Sequence, residues 1–339
     1  VYKRQLHWRE SVNLIQQTTP KALIYSDDFR VDVAEIEGAM RKGQDGRPQY
    51  ALPHYLHVEG PGIEESIPYQ SVIDQSPGTP VTCESLTEED IACLLFTGGT
   101  TGLPKGAQIS HRQICWNVLN TVIHDLTHDD IYLCVFPLFH AGGLFAYLSS
   151  QVVFGNTSIL TRQFDPAQVL DLIERESITV FAGVPTMYQM MTQAPDYAEA
   201  DLSSLRFCTS GGAPLPVPLV ERYTEDHGIR FKQGFGMTEF GPGLFALPPE
   251  DAIRKAGSIG RPNFFVDVRV VDDENNPLGP NEVGELLLRG PSGSSGYWQN
   301  PEASAAVIDD EGWFHTGDIV RYDDEWYFYV LDRKKDMFI

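Results

Sequence analysis

The segment Leu95-Phe96-Thr97-Gly98-Gly99-Thr100-Thr101-Gly102-Leu103-Pro104-Lys105-Gly106 completes an apolar run that begins at Ile91, and then supplies four glycines, three threonines and one lysine. The apolar run predicts a buried strand. Glycines let backbone N–H groups approach an anion closely, hydroxyls add donors, and the lysine adds positive charge. The segment therefore predicts a strand that leads into a phosphate-binding loop, with a Gly- and Thr-rich surface turn as the alternative.

This loop differs from the Walker A loop of kinases and GTPases. The Walker motif requires Gly-Lys-Ser/Thr in direct succession, whereas Leu103-Pro104 here separates the last loop glycine from Lys105. Pro104 cannot donate a hydrogen bond and stiffens the end of the loop. We therefore expect the loop to enclose phosphate in another geometry.

Outward from the loop, short apolar runs alternate with segments of helical periodicity. This alternation predicts a parallel α/β sheet. The predicted strands are Ala22–Tyr25, Ile91–Phe96, Tyr132–Phe136, Thr157–Leu160, Thr179–Ala182 and Leu205–Thr209. The predicted helices are Val31–Met40, Ser110–Val122, Pro166–Glu176 and Val217–His227.

After about Gly241 the pattern changes to alternating apolar and polar residues separated by turn-rich segments. This pattern predicts a smaller antiparallel β subdomain. Its predicted strands are Val266–Val271, Glu285–Arg289, Asp318–Tyr322 and Trp326–Leu331. We therefore divide the chain into an α/β subdomain with the phosphate loop (1–134), a second α/β subdomain (135–245), a β-barrel-like subdomain (246–331) and a terminal segment (332–339).

Composition excludes several classes of partner. The 339 residues, 42% of them hydrophobic, are enough for two or three packed subdomains. A net charge of −22 disfavours binding to nucleic acid and to anionic membranes. The five cysteines lack CxxC spacing, and most read as reduced core residues, which suggests a cytoplasmic protein. The apolar run 133–154 is broken by Pro137, His140 and Gly142-Gly143, and we interpret it as core, not as a transmembrane segment.

Two further Gly-rich turns follow predicted strands, at Thr209–Pro214 and Gln233–Glu239. Loops at the carboxyl ends of parallel strands converge on one crevice, so we expect these two turns and the phosphate loop to form a nucleotide site. Glu239 is the only acid in the three loops. A carboxylate beside phosphates requires a bridging cation, so Glu239 is a candidate Mg²⁺ ligand, and a solvent-facing glutamate is the alternative.

Three other features have a functional and a structural interpretation each. Asp318 follows Thr316-Gly317 and either binds a ribose diol or forms an ordinary turn. The charged cluster 332–336, which contains Arg333, is either a functional cationic patch or a solvated surface. His140 either borders an apolar substrate tail or is a structural residue.

Together these segments resemble the adenylate-forming superfamily, which includes acyl- and aryl-CoA synthetases, firefly-type luciferases and peptide-synthetase adenylation domains. The resemblance is closest to fatty-acyl-CoA ligases and covers the chain from about residue 90. It rests on eight ordered motifs: Phe96–Gly106, Pro137–His140, Gly211–Pro214, Gly234–Glu239, Gly284–Leu286, Gly296–Trp298, Thr316–Asp318 and Asp332–Asp336.

The resemblance implies a two-step reaction that needs ATP, Mg²⁺ and coenzyme A. A carboxylate, expected to be that of a fatty acid, attacks the α-phosphorus of ATP and expels pyrophosphate; a thiol then displaces AMP to form a thioester. By the same resemblance Lys105, His140, Thr238 and Glu239 take part in catalysis. The implied nucleotide-binding residues are Thr97, Gly98, Gly99, Thr100, Thr101, Gly102, Gly211, Gly212, Ala213, Gln233, Gly234, Phe235, Gly236, Asp318 and Arg333.

The implied roles differ along this set. Thr97 to Lys105 contact the β- and γ-phosphates, and Gly211 to Ala213 flank the adenine. Thr238 and Glu239 serve phosphate and Mg²⁺, while Asp318 and Arg333 hold the ribose. His140 lies near the substrate carboxylate at the mouth of an acyl tunnel.

The chain departs from the family pattern in its extent. Compared with that pattern it starts late and stops just after the hinge, before the small C-terminal domain that carries a catalytic lysine. We therefore expect a fragment of an acyl-CoA synthetase that is not fully competent alone. The alternatives are a non-catalytic ATP-binding module and an adenylation domain that uses a carrier-protein thiol.

Overall fold

The computed structural model describes residues 7–42, 50–98, 104–122 and 125–334. These residues belong to two compact units, Val1–Leu86 and Thr87–Ile339. The finer subdivision at residues 134, 245 and 331 stays a prediction. Across the described ranges, no helix combines the length and apolar character that crossing a bilayer requires.

The first unit is a small parallel sheet with helices. Its elements are α1 (Trp8–Thr18), β1 (Ala22–Tyr25), α2 (Arg30–Lys42), β2 (His54–His57), β3 (Ile67–Pro68) and α3 (Tyr69–Gln75), and the strand order is β1-β2-β3. A capping box starts α1, because the side chain of His7 accepts from the Arg9 N–H and Glu10 accepts from the His7 N–H. Val12, Ile15 and Ile36 are among its buried core residues.

The second unit begins with an antiparallel hairpin. Strands β4 (Ile91–Thr97) and β5 (Lys105–Ser110) pair so that Thr97 lies opposite Lys105, and α4 (His111–Val122) follows directly. The predicted strand and helix are confirmed, but β5 was not expected. The two ends of the predicted phosphate loop are therefore fixed by a hairpin that forms its own two-stranded sheet.

A seven-stranded sheet with the order β12-β11-β10-β9-β8-β6-β7 forms the body of this unit. Strands β6 to β10 run parallel, and β11 and β12 are antiparallel, which confirms the predicted parallel α/β architecture. The elements are β6 (Ile131–Cys134), α5 (Ala141–Phe145), α6 (Leu148–Phe154), β7 (Thr157–Leu160), α7 (Pro166–Arg175), β8 (Val180–Gly183), α8 (Pro185–Met191), β9 (Phe207–Gly211), α9 (Val217–His227), β10 (Phe231–Met237), β11 (Gly241–Leu247) and β12 (Arg261–Pro262).

Alternate residues of the central strands enter two different cores. Phe181 and Cys208 pack in the core that contains α7, α8 and α9. Their neighbours Ala182 and Phe207 pack with Tyr147 in a second core on the other face. This period of two follows from strand geometry and leaves both faces of the sheet covered.

The predicted antiparallel β region is also confirmed. Four strands pair in the order β13-β14-β15-β16, with α10 (Pro301–Ala305) before the third. Their bounds are β13 (Asp267–Val271), β14 (Gly284–Arg289), β15 (Phe314–Tyr322) and β16 (Phe328–Arg333). Val270, Leu286 and Phe328 pack with Phe245 of β11, so this sheet shares a core with the end of the larger one.

Two local predictions are wrong. Gln233 to Gly236, expected to be a turn, lie within β10, since glycines can continue a strand where another strand approaches closely. Cys83 and Cys115 are exposed and only Cys134 and Cys208 are buried, although all five cysteines are free. Cys115 is exposed because α4 turns its polar residues Gln113 and Asn117 inward.

Asp130 fixes the start of β6. It is 1% exposed and accepts hydrogen bonds from Arg206 at 2.6 and 2.7 Å, from Thr179 Oγ1 at 2.7 Å and from the Thr127 N–H at 2.7 Å. Asp130→Ala should lower the free energy of unfolding by ~3 kcal/mol, because it leaves buried donors and a cation without their acceptor.

Chemical denaturation measures this effect. The matched control is Asp129→Ala, since the Asp129 side chain is 83% exposed and forms an ion pair with His128, which is itself exposed. We expect that control to change stability by less than about 0.5 kcal/mol. Equal losses in the two variants would contradict the role of Asp130.

Candidate active site

A cavity of about 500 Å³ opens where the parallel strands of the large sheet end. Residues from the β6–α5 connection line one side, and the ends of β8, β9 and β10 line the other. The crevice at the carboxyl ends of parallel strands is the expected position for a ligand in an open α/β sheet. The cavity is therefore the first candidate for the active site.

The cavity brings together part of the predicted site. The predicted residues that line it are His140, Gly211, Gly212, Gln233, Gly234, Gly236 and Thr238. His140 is exposed, precedes α5 and packs its ring 4.8 Å from that of Phe139. The Gln233 side chain accepts from the Leu215 N–H at 3.1 Å, while its Nε2 is buried without a partner among the described residues.

Other predicted residues lie outside this lining. Ala213 is exposed after β9, and Phe235 packs edge-on against Phe245, with the ring centroids 5.7 Å apart. Thr97 and Gly98 lie at the end of β4. Gly99, Thr100, Thr101 and Gly102 lie outside the residues that the structure describes, as do Lys335 and Asp336.

Lys105, Tyr297 and Glu239 form a connected group. The Tyr297 hydroxyl donates to Glu239 Oε1 at 2.8 Å, and Lys105 Nζ lies 5.1 Å from the centroid of the Tyr297 ring. Burial, followed by the negative charge of Glu239, raises the pKa of Tyr297, so the phenol stays protonated as a donor. The predicted phosphate lysine and the predicted magnesium ligand are thus joined through one tyrosine.

Backbone contacts bring this tyrosine to the hairpin. The Trp298 N–H donates to the Gly106 carbonyl at 2.8 Å, and the Gln108 N–H donates to the Gly296 carbonyl at 2.9 Å. The segment 296–298 therefore extends the edge of the two-stranded sheet. This arrangement corrects the expectation that the phosphate loop ends a strand of the large parallel sheet.

Asp318 lies in a bulge within β15 and is 2% exposed, so it is not an exposed turn residue at a strand start. Arg333, its partner on β16, donates to Asp318 Oδ1 at 2.8 Å. Asp318 Oδ2 is buried and has no hydrogen-bond partner in the described part of the chain. Burial raises the pKa of Asp318, Arg333 opposes the increase, and Glu239 and Glu285 add to it. An unsatisfied buried carboxylate oxygen can accept from a ligand hydroxyl.

Tyr297 and several residues of the cavity lining have no role that the sequence alone predicts. Gly296-Tyr297-Trp298 was noticed as a motif, but its contact with Glu239 spans 58 positions. Tyr147 and Lys232, for which the sequence predicts no role, also line the cavity. Thr209, expected at the start of a Gly-rich turn, lies within β9 and lines the cavity as well. Lys232 directly precedes the predicted turn that starts at Gln233, and it enters the cavity lining because β10 (Phe231–Met237) extends through both segments.

The family model that matches this chain is described as "AMP-binding enzyme" and covers residues 4–298. Among curated proteins, the feruloyl-CoA synthase of an Amycolatopsis species is 44% identical over 267 residues, which are 78% of this chain and 53% of that protein. The indoleacetate–CoA ligase of Aromatoleum aromaticum is 38% identical over 343 residues, 98% of this chain and 64% of that protein. The chain thus spans between about half and two thirds of these relatives.

Solved structures show the same fold. The inhibitor-bound N-terminal domain of FACL13 from Mycobacterium tuberculosis has a TM-score of 0.86 at 30% identity, and the match covers 97% of this chain and 78% of that one. ATP-bound MatB from Rhodopseudomonas palustris has a TM-score of 0.85 at 28% identity, with 99% and 63% of the two chains covered. Both likenesses extend over nearly all of the present chain.

The close contact of β10 with β11 gives a test of the site geometry. A Cβ on Gly236 would lie 2.3 Å from Pro242 Cα, whereas a Cβ on Gly234 would meet only the Phe245 carbonyl oxygen at 3.9 Å. Gly236→Ala should therefore lower the free energy of unfolding by ~1–3 kcal/mol. Gly234→Ala is the matched control and should change it by less than about 0.5 kcal/mol. Similar urea denaturation curves for the two variants would contradict this geometry.

Proposed function

The chain belongs to the AMP-binding enzyme family, and we propose that its protein activates a carboxylic acid with ATP and transfers the acyl group to coenzyme A. The carboxylate attacks the α-phosphorus, a P–O bond forms and pyrophosphate leaves. The thiol sulfur then attacks the acyl carbon, and AMP leaves as the thioester forms. The observation that carries this proposal is the Lys105–Tyr297–Glu239 group beside a cavity that Thr238 lines.

The first step brings an anion against a polyanion, so charge must be neutralised and the reactants held in line. Lys105 and the loop that it ends supply cationic and N–H donors to the β- and γ-phosphates. Gly211, Gly212 and Ala213 flank the adenine, with Gln233, Gly234, Phe235 and Gly236 beside them. His140 orients the substrate carboxylate at the mouth of the cavity, and Thr238 donates to phosphate.

The ribose is held by Asp318 and Arg333. Asp318 Oδ2 supports this assignment, because a ribose hydroxyl supplies a donor that the described residues do not give this buried oxygen. Arg333 holds the other carboxylate oxygen at 2.8 Å and so fixes the orientation of the group.

The Glu239 side chain fits the role of a magnesium ligand. Mg²⁺ is usually bound through one or two carboxylates together with substrate phosphates, and in the described ranges no cluster of three or more acidic, histidine or cysteine side chains forms a separate metal site. Tyr297 holds Glu239 Oε1 and orients its carboxylate. When bound there, the ion would neutralise phosphate charge.

The identity of the acid is a further part of the proposal. The names of the curated relatives include ferulate, indoleacetate and long-chain fatty acids. Our sequence-based expectation of a fatty acid and of a cytoplasmic location stays a prediction. We expect no nucleic-acid partner, because the net charge is −22.

Acid-dependent ATP–pyrophosphate exchange tests the first step. The full-length protein, supplied with aliphatic, aromatic and polycyclic acids in turn, should exchange labelled pyrophosphate into ATP with at least one of them. Product analysis with and without coenzyme A then separates a CoA ligase from an enzyme that uses a carrier-protein thiol. ATP binding without exchange for any acid would contradict the proposal and favour a non-catalytic nucleotide-binding module.

Glu239→Gln tests the metal assignment. The variant should lose affinity for ATP mainly when Mg²⁺ is present, because the amide is a poorer magnesium ligand than the carboxylate. Tyr297→Phe should weaken Mg²⁺-dependent binding by about tenfold, since it removes the partner that orients the carboxylate. Calorimetric titration with ATP, in Mg²⁺ and in a chelator, measures both effects.

The control for these variants is Glu250→Gln, an exposed glutamate outside the cavity lining. It should bind ATP like the parent protein in both buffers. If Glu239→Gln lost the same affinity in chelator as in Mg²⁺, Glu239 would not be a metal ligand.

A further inference from the structure

One part of the cavity lining, set back from the carboxyl ends of the strands, carries polar side chains. Ala182 on β8, Thr209 on β9 and Lys232 on β10 are register neighbours across three adjacent strands, and all three line the cavity. The Tyr147 hydroxyl, on the facing side, lies 2.6 Å from Thr209 Oγ1. These residues form one row, which we call the cavity floor: Tyr147, Ala182, Thr209 and Lys232.

Strand direction separates this floor from the mouth. His140, Gly212 and Thr238 lie beyond the carboxyl ends of β6, β9 and β10. Lys232, in contrast, is the second residue of β10. Its Nζ lies 3.7 Å from the centroid of the Phe207 ring, two residues before Thr209 on the same face of β9. The lysine stem therefore passes along the floor and runs away from the mouth.

The floor contains groups that are costly to cover with hydrocarbon. Lys232 is 7% exposed, and burial lowers its pKa, which the hydrogen bond and charge of Asp125 partly oppose. Its Nζ lies 3.0 Å from Asp125 Oδ2, and the Asp125 side chain is 74% exposed, so this ion pair has one end in solvent. A plain alkyl chain pushed against these polar groups would displace water without replacing its hydrogen bonds.

The sides of the cavity above the floor have the opposite character. Phe136, Ala146, Val184 and Phe245 line them, so the middle of a bound acid meets apolar side chains. A ligand that matches both regions has an apolar body and an oxygen at its far end. Such a group can accept from the Lys232 ammonium and exchange a hydrogen bond with the Tyr147–Thr209 pair.

We propose that the protein prefers carboxylic acids that carry a hydroxyl or carbonyl oxygen at the end remote from the reacting carboxylate, and that Lys232, Tyr147 and Thr209 bind this oxygen. This inference rests on the proposed function and names its substrate class. Lys232 is then a specificity-determining residue, because it binds the oxygen at the end of the acid remote from the carboxylate.

Matched pairs of acids test the preference. A straight-chain acid is compared with its terminal hydroxy derivative, and cinnamate with para-hydroxycinnamate, by kcat/KM in acid-dependent ATP–pyrophosphate exchange. The full-length protein should favour the oxygenated acid of at least one pair by about tenfold. Lys232→Met keeps the length of the side chain and should remove most of that preference by weakening only the oxygenated acid.

Two further variants separate recognition from folding. Tyr147→Phe removes one oxygen atom and should reduce the preference by a smaller factor. Lys255→Met is the matched control, because Lys255 Nζ, like that of Lys232, lies against an aromatic ring and is paired with acidic side chains, Asp323 at 2.8 Å and Glu325 at 2.6 Å. Lys255 lies outside the cavity lining. This variant should leave the ratio between the paired acids unchanged.

The outcomes are distinct. Absence of a preference in the parent protein, or an equal loss for both acids of a pair in Lys232→Met and Tyr147→Phe, would overturn the inference while the proposed function stands. Absence of exchange with every acid would overturn the proposed function. In that case the affinities of the same paired acids, measured by calorimetry on the same variants, decide the inference.

Discussion

The amide side chains on the inner face of α4 hold the site together. Gln113 Nε2 donates to the Glu239 carbonyl at 3.0 Å. Asn117 Nδ2 donates to the Phe145 carbonyl at 2.7 Å, and Asn117 Oδ1 accepts from the Gly243 N–H at 3.2 Å. Burying a polar helix face is costly, and hydrogen bonds to the backbone of α5, of β11 and of the turn between β10 and β11 offset part of that cost. Gln113 Oε1 and Asn120 Nδ2 are buried without a partner among the described residues. One helix therefore fixes the cavity wall and the position of Glu239 together.

The close approach of Asn117 to the start of β11 also explains why residue 241 is a glycine. Gly241 has a φ of 81°, and a Cβ there would lie 2.4 Å from Asn117 Oδ1. Only glycine allows this backbone conformation and this approach without strain. Because α4 follows β5 directly, the hairpin that carries Lys105 is attached to the same support. The Lys105–Tyr297–Glu239 group and the cavity wall thus depend on one set of amide hydrogen bonds.

Much of the fold could be predicted from short-range patterns. Apolar runs located β1 and β7 to the residue, and periodicity with a first-turn proline located α7, because burial on one or both faces leaves a local signature. Strand β5, Lys-Gly-Ala-Gln-Ile-Ser, has no such signature and exists because β4 and the segment 296–298 pair with it. In the candidate site, composition identified the Gly-rich segments that contribute to the cavity lining, but not that Gln233 to Gly236 belong to a strand. The Tyr297–Glu239 contact and the burial of Asp318 depend on pairings between distant segments, which no local pattern reveals.

The row Ala182–Thr209–Lys232 has a consequence for how such a protein can diverge. Strand pairing sets the positions of these residues, and all three line the cavity, although Ala182 also packs with Tyr147 and Phe207. Their neighbours Phe181 and Cys208 fill the core on the opposite face of the sheet. Substitutions in the row therefore leave the core on the opposite face of the sheet in place. An evolving lineage could therefore change the chemistry of the cavity lining by substitutions in the row while the strand pairing stays intact.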